Sequence, residues 1–146
     1  MKRLAYLTTI GIILSVAGCS TSSDQSSDTI SHQGTNDLTP RLDDGEKWVV
    51  NDATKEGIEN MVSLVNSFEL SDNLADYLKL NEQLEQEFKT IFEKCDMNGE
   101  AHDQLHNYLF PLKRLFNKLK SEDLSESKGT VKELKVYLST FPDYFK

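Results

Sequence analysis

Residues 77–95, YLKLNEQLEQEFKTIFEKC, decide the fold of this chain. Apolar side chains recur there at steps of three and four residues, at Tyr77, Leu80, Leu84, Phe88, Ile91 and Cys95. This repeat places them along one face of an α-helix, while the charged and amide side chains fall on the opposite face. A stripe of this width is typical of a helix in a bundle, and Ser71 or Asp72 can cap its start.

Three similar stripes flank this one along the chain. Their apolar positions are, in chain order, Ile58, Met61, Val62, Val65 and Phe68; then His102, Leu105, Leu109, Leu112, Phe116 and Leu119; and finally Val131, Leu134, Leu138 and Phe141. Asn51 or Asp52 can cap the first of these, and the pair Asn98-Gly99 is a turn or cap signal before the second. The chain shows no internal sequence repeat.

The last two helices carry one interruption and one start signal. Pro111 lies inside the third helix and is expected to kink it, because proline lacks the amide proton that the carbonyl of Asn107 would accept. After a polar stretch over residues 121–128, Thr130 and Glu133 have capping-box spacing. This spacing predicts that the fourth helix begins near Thr130.

Four amphipathic helices with short connections, in about 100 residues, predict an all-α domain over residues 48–146. The expected architecture is an antiparallel up-and-down four-helix bundle, with Pro142 ending the fourth helix. The segment Trp48-Val49-Val50 is too short to imply a sheet. We interpret it as an extended lead-in that packs on the bundle.

Residues 19–47 have a different composition from the bundle. They are rich in Ser, Thr, Asp, Gln and Gly and contain few apolar side chains. Such a segment cannot bury enough apolar surface to offset the entropy lost on folding. The sequence therefore predicts a disordered, flexible tether in front of the bundle.

The N-terminus has the layout of a secretory signal. Lys2 and Arg3 precede an apolar run that begins at Leu4 and closes on small residues. The fourteen residues from Leu4 to Ala17 are fewer than the roughly 20 that a membrane-spanning helix needs. The sequence therefore predicts a signal peptide over residues 1–18 that is removed.

The end of this signal, Val16-Ala17-Gly18-Cys19, resembles the lipobox of bacterial lipoproteins. The resemblance implies cleavage before Cys19, a diacylglycerol on its sulfur, and acylation of the new amino group, with palmitate as a typical fatty acid. Each buried methylene contributes about 0.8 kcal/mol, so several long chains anchor a protein to a membrane durably. The implied location is the cell envelope, and in a Gram-negative cell Ser20 after the cysteine implies the outer membrane.

The charge of the chain excludes several classes of partner. The net charge is −8, and losing Lys2 and Arg3 with the signal takes it to −10. Nucleic acids and anionic lipid head groups are bound through clusters of Lys and Arg. The sequence of this chain shows no such cluster. We therefore expect no nucleic acid partner, and a membrane contact made through the lipid. A protein partner is not indicated.

The stretch CDMNGEAHDQLH, residues 95–106, carries the candidate chemistry. His102 and His106 are four residues apart, which places both imidazoles on one side of a helix within reach of a single ion. Cys95 ends the preceding helix, and Met97 lies in the turn between the two helices. A thiolate, a thioether and two imidazoles suit copper before zinc, and do not suit magnesium or calcium. The sequence thus predicts a metal site made of Cys95, Met97, His102 and His106.

The same residues also have a structural interpretation. Cys95 continues the apolar stripe of its helix, and a buried free cysteine usually acts as a small hydrophobic side chain. His102 begins the next stripe, where a hydrogen-bonded histidine is ordinary, and Met97 could fill the end of the bundle. No oxyanion donor, glycine-rich loop or carboxylate pair completes a catalytic set beside the thiol. We therefore expect a protein that is not an enzyme and either binds a metal or serves as a structural or interaction module.

Residues 95–106, together with Leu109 and Pro111, also resemble small uncharacterised helical lipoproteins of the Bacteroidetes type. This resemblance covers most of the helical part of the chain. It implies a lipid-anchored helical protein and no particular activity.

Overall fold

Five helices follow one another along residues 38–146, the part of the chain that this computed structural model describes. They are α1, Asp52–Ser67; α2, Leu74–Lys94; α3, Gly99–Leu119; α4, Leu124–Ser139; and the single turn α5, Phe141–Tyr144. The predicted signal peptide and the predicted lipidation site Cys19 lie outside the described residues.

The four long helices pack as a bundle. Helix α1 lies against α2 and α4, and α3 lies against the same two helices. Links of four to six residues join successive long helices, so helices adjacent in the chain are also neighbours in space. In the described part of the chain, extended backbone pairs only at two isolated bridges. The predicted all-α four-helix bundle is confirmed.

The predicted apolar stripes form the core of this bundle. Their buried members are Ile58, Met61, Val65, Tyr77, Leu80, Leu84, Ile91, Leu105, Leu109, Leu112, Phe116, Leu119, Val131, Leu134, Leu138 and Phe141. The other stripe positions stay partly exposed: Val62, Phe68, Phe88 and Cys95 pack at the edge of the core, and His102 is half-buried. Burying apolar surface stabilises a fold by roughly 25 cal/mol per Å², so these positions hold the four helices together.

The starts of α1 and α2 are set by asparagine caps. Asn51 caps α1 as predicted, because its Oδ1 accepts a hydrogen bond from the backbone N of Thr54 at 2.9 Å. The cap of α2 is Asn73 and not Ser71 or Asp72, and its Oδ1 accepts from the backbone N of Ala75 at 3.1 Å. The prediction of Ser71 or Asp72 was therefore wrong by one or two residues.

Helix α4 begins earlier than the sequence predicted. Its cap is Asp123, whose Oδ1 accepts from the backbone N of Ser125 at 2.8 Å. Thr130, predicted to start the helix, is buried inside it, and its Oγ1 donates to the carbonyl of Glu126 at 2.8 Å. The prediction failed because Ser127 and Thr130 face the core although they are polar.

Helix α3 continues through Pro111 from Gly99 to Leu119. A proline inside a helix costs about 3 kcal/mol or more, because it removes one backbone hydrogen bond and crowds the preceding turn. Leu109 and Leu112, on either side of it, are both buried in the core. Their packing holds the helix on both sides of the proline.

The segment in front of α1 packs on the bundle as predicted. The backbone N of Trp48 donates to the carbonyl of Tyr144 at 2.8 Å, and the N of Lys146 donates to the carbonyl of Trp48 at 2.9 Å. Contacts with the bundle also occur before Trp48. Pro40 is buried, and the backbone N of Arg41 donates to Oε1 of Gln104 at 2.7 Å.

Candidate metal-binding corner

The link between α2 and α3 brings the predicted ligands to one corner of the bundle. Cys95 is the residue that ends α2, and α3 begins four residues later at Gly99. Gly99 has a φ of +69°, a left-handed conformation that glycine adopts without steric cost. The tight link therefore depends on glycine, as the Asn98-Gly99 pair indicated.

The start of α1 braces this link. The side-chain amide of Asn51 donates to the carbonyl of Lys94 at 2.9 Å and to Oδ1 of Asp96 at 2.7 Å. Asn51 therefore caps α1 with its oxygen and holds the residues on both sides of Cys95 with its nitrogen. Nothing in the local sequence signals this contact, because forty-three positions separate Asn51 from Lys94.

Three of the four predicted ligands lie together. The Sγ of Cys95 is 3.5 Å from Nδ1 of His102, and the ring centroids of His102 and His106 are 4.2 Å apart. Met97 is partly buried and packs against the hydrophobic core. Among the hydrogen bonds of residues 38–146, none joins Met97 to the other three side chains. The corner is thus a cysteine and two histidines, and the methionine packs against the hydrophobic core.

The ring of His106 sits among aromatic neighbours. Its centroid is 5.2 Å from that of Phe92 and 5.3 Å from that of Phe110. Burial, followed by the positive charge that His102 can carry, lowers the pKa of His106, and Asp103 opposes this shift. His106 is therefore neutral near pH 7, which is the form that can bind a metal ion.

The separation of Cys95 and His102 fits two ligands of one metal ion. Bond lengths of about 2.3 Å to sulfur and about 2.05 Å to nitrogen, at a tetrahedral angle, place the two donors about 3.6 Å apart. The observed 3.5 Å is also the separation of a hydrogen bond that involves sulfur. Within residues 38–146, no group of three or more His, Cys, Asp or Glu side chains is arranged to hold a metal ion.

The sequence did not reveal the aromatic surroundings of the corner. Phe92 and Phe110 were not assigned to any stripe, and both are more than a third exposed. Phe110 follows His106 by four residues, so the helical spacing could have shown that their rings meet on one face of α3. Phe92 comes from α2, and its contact depends on how the two helices pack.

Over the described part of the chain, every helix is too short or too polar to cross a membrane. Comparison of the chain with protein-family models, with curated proteins and with solved structures gives no match.

Proposed function

We propose that this protein is a lipid-anchored, non-enzymatic envelope protein whose bundle captures a soft metal ion, copper before zinc, at the Cys95–His102 corner. One observation carries the metal-binding part: the 3.5 Å between the Cys95 Sγ and the His102 Nδ1. This separation, between the residue after α2 and a residue of α3, supports the proposal that both side chains can bind one ion.

The composition of the corner favours Cu(I). Thiolate and thioether donors are soft and select Cu(I), whereas zinc is usually held by four ligands in a closed structural site. Here two donors are at ligand distance, and His106 lies next to His102 with a lowered pKa. A three-coordinate ion that takes Cys95, His102 and His106 suits this arrangement better than one that requires four ligands.

The membrane anchor rests on the sequence of the N-terminus. The lipobox-like Val16-Ala17-Gly18-Cys19 supports lipidation of Cys19 after removal of residues 1–18. Mass measurement and detergent partitioning test this. We expect Cys19→Ala to lose the lipid mass and to move from the membrane to the aqueous fraction. A variant that stayed as membrane-bound as the parent would disprove the anchor.

The alternative function is a structural or interaction module in which the corner is packing. Two observations favour it: the sulfur and the imidazole are also at hydrogen-bond distance, and His106 lies between two phenylalanine rings. In this case the corner stabilises the end of the bundle, and His102→Ala lowers the melting temperature without any effect on metal content.

Metal titration, paired with measurements of stability, distinguishes the metal-binding function from the packing function. The processed chain, residues 19–146, carries Cys19→Ser so that Cys95 is its remaining thiol. We expect one Cu(I) per chain, and affinity reduced by more than about tenfold in Cys95→Ser and in His102→Ala. Affinity should also fall as the solution is acidified, because imidazole binds metal only when neutral and cysteine only as thiolate.

His32→Ala is the matched control, because it removes a histidine from the predicted tether and leaves the corner intact. Met97→Leu tests the fourth ligand, and it should weaken Cu(I) binding while leaving zinc binding nearly unchanged. Equal metal affinity in His32→Ala and His102→Ala, or no stoichiometric binding by the parent, would reject the metal site and leave the packing function.

A further inference from the structure

An open groove lies between α3, the end of α4 and the segment in front of α1. It has a volume of about 540 Å³, within the range of roughly 300–1,000 Å³ typical of small-molecule sites. Phe110 and Pro111 of α3 line it, together with Leu38 of the segment in front of α1 and Tyr144 of α5. Arg114 of α3 lines it as well, and we call it the Arg114 groove.

The apolar walls of the Arg114 groove can be reached from solvent. Leu38 is 41% exposed and Phe110 is 40% exposed, while Pro111, Tyr137 and Tyr144 are half-buried. Aromatic rings and a proline ring offer flat apolar surfaces against which another ring can pack. A ligand could therefore bind here without opening the hydrophobic core.

Arg114 supplies the charge of the groove. It is the only charged side chain among the described residues that line the groove. It forms no ion pair with any residue of the described part of the chain. Burial raises the pKa of Tyr137 to about 12, and the positive charge of Arg114 opposes this rise. The guanidinium is therefore close enough to act on a wall of the groove.

The carboxylates near the groove do not compensate this charge. Glu133 lines a neighbouring cleft that Arg114 also lines, but its Oε2 is paired with Nζ of Lys118 at 2.9 Å. Lys132 lines the same cleft, and among residues 38–146 it has no ion-pair partner. Asp143 is exposed and does not line the groove. The groove therefore presents one uncompensated positive charge in a chain of net charge −8.

Two hydrogen-bond donors of the groove are free for a ligand. The hydroxyl of Tyr137 already donates to the carbonyl of Tyr108, and the hydroxyl of Thr140 to the carbonyl of Tyr137, both at 2.7 Å. The hydroxyl of Tyr144 forms no hydrogen bond within the part of the chain that the structure describes. The second free donor is the guanidinium of Arg114, whose planar fork matches the two oxygens of a carboxylate.

We infer that the Arg114 groove binds a small aromatic carboxylate. The carboxylate pairs with Arg114, and the aromatic body packs against Phe110, Pro111 and the tyrosine rings. One unpaired cation matches a single negative charge, so a monocarboxylate fits better than a phosphate monoester, whose charge is about −1.5 to −2. The apolar walls supply most of the binding free energy, and the arginine selects the anion over its neutral analogue.

Titration of the processed chain with 2-naphthoate, followed by calorimetry and by NMR shifts of the backbone amides, tests this inference. The chain is residues 19–146 carrying Cys19→Ser. We expect saturable binding of one 2-naphthoate per chain. Binding of 2-naphthamide, the neutral analogue, should be weaker by about threefold to tenfold. Acetate should show no saturable binding, because it has the carboxylate without the aromatic body.

Arg114→Gln should remove the preference for 2-naphthoate and leave the binding of 2-naphthamide unchanged. Lys113→Gln is the matched control, because it removes the same charge from the neighbouring exposed position of α3, which does not line the groove. It should keep the preference of the parent.

Two leucines of the segment in front of α1 test the location of the site. Leu38→Glu places a carboxylate in the groove and should weaken 2-naphthoate binding at least about tenfold. Leu42→Glu adds the same charge at a position that is equally exposed and lies outside the groove, and it should have no effect. Melting temperatures confirm that the variants fold.

Four results would overturn the inference. They are no saturable binding of 2-naphthoate by the parent, 2-naphthamide binding as tightly as 2-naphthoate, equal losses in Arg114→Gln and Lys113→Gln, and equal binding by the two glutamate variants. None of these readouts depends on the metal site.

Discussion

The two halves of the bundle, α1–α2 and α3–α4, are built to the same plan with different side chains. In the first link, the Oγ of Ser71 accepts from the backbone N of Asn73 at 3.0 Å. In the second, the Oγ of Ser121 accepts from the backbone N of Asp123 at 3.1 Å. Asn73 and Asp123 then cap α2 and α4 in the same way. Ser71 and Ser121 are fifty residues apart, and so are the two caps.

The same fifty-residue shift relates a part of the buried positions of the two halves. Both members of each of these pairs are buried: Thr54 and Gln104, Ile58 and Tyr108, Val65 and Leu115, Tyr77 and Ser127, Leu80 and Thr130, Asn81 and Val131, Leu84 and Leu134, Ile91 and Phe141. Only the leucine pair keeps the same residue. The halves therefore share part of a burial pattern, which different side chains fill, while Leu105, Leu109, Phe116 and Leu119 are buried in α3 where the first half has exposed residues.

The contact between the two helices of each half, α1 with α2 and α3 with α4, shows this difference most clearly. In the first half, α1 approaches α2 at Gly57, where an added Cβ would lie 2.5 Å from Cγ1 of Ile91. In the second half, the rings of Tyr108 and Tyr137 stack at 4.9 Å, and each hydroxyl donates to the other residue's carbonyl, at 3.0 Å and 2.7 Å. The contact between α1 and α2 depends on the absence of a side chain at Gly57. The contact between α3 and α4 depends on two large side chains, those of Tyr108 and Tyr137.

The largest expected effect compares the leucines that correspond in the two halves, Leu84 and Leu134. Leu84→Ala and Leu134→Ala each remove a fully buried side chain, and each should lower the free energy of unfolding by about 2 to 5 kcal/mol. Urea denaturation followed by circular dichroism measures this. Because the halves share one core, both variants should unfold in a single transition. Two separate transitions in either variant would show that the halves are independent units.

The next prediction concerns the two glycines inside helices. Gly57→Ala should destabilise the protein by about 1 to 3 kcal/mol, because Ile91 is fully buried and cannot move aside without disturbing the core. Gly129→Ala is the matched control in α4, where an added Cβ has nothing within 4 Å. That variant should gain up to about 1 kcal/mol from helix propensity. Changes of the same sign in both variants would contradict the close approach at Gly57.

A pH titration tests the tyrosine pair. Burial raises the pKa of Tyr137 to about 12, and burial also raises the pKa of Tyr108. The unfolded chain releases these protons near pH 10, while the folded chain keeps them. The stability they confer is therefore complete below about pH 10 and is lost as the pH rises towards 12. Tyr137→Phe should make the loss of stability above pH 10 less steep, and an unchanged slope would contradict this.

Periodicity predicted the core because most buried positions of α1, α2 and α3 are apolar, as at Leu80 and Leu84. It failed at the start of α4, where Ser127 and Thr130 are buried although they are polar. The relation between the halves was also hidden in the sequence, because Gly57 of the first half corresponds to Asn107 of the second. Such differences hide the relation from a comparison of residue types, whereas part of it is visible in the burial of the side chains.

The sequence predicted those contacts of the candidate corner that are made between residues close together in the chain. The spacing of His102 and His106 and the short link after Cys95 predicted that these three would meet, and their side chains do lie together. Met97 was less predictable, because the direction of a side chain in a link depends on the packing around it. The bracing by Asn51 is a contact between distant parts of the chain and required the structure.

The smallest expected effect concerns an ion pair between the two halves, Lys128 with Asp72. Nζ of Lys128, in the first turns of α4, lies 2.6 Å from Oδ1 of Asp72, in the link before α2. The hydrogen bond from Lys128, and then its charge, lower the pKa of Asp72 from the usual 3.8. Asp72 is fully exposed, so we expect no measurable change in stability when the pair is removed.

The pKa itself is the sensitive readout for this pair. Titration of the Asp72 carboxyl by NMR should give a value below 3.8 in the parent chain and the ordinary value in Lys128→Gln. Added salt should raise the parent's value, because exposed charges are screened within about 8 Å at physiological ionic strength. Lys132→Gln, also on α4, is the control and should leave Asp72 unchanged. A pKa of Asp72 that changed neither with Lys128→Gln nor with salt would contradict the contact between α4 and the link before α2.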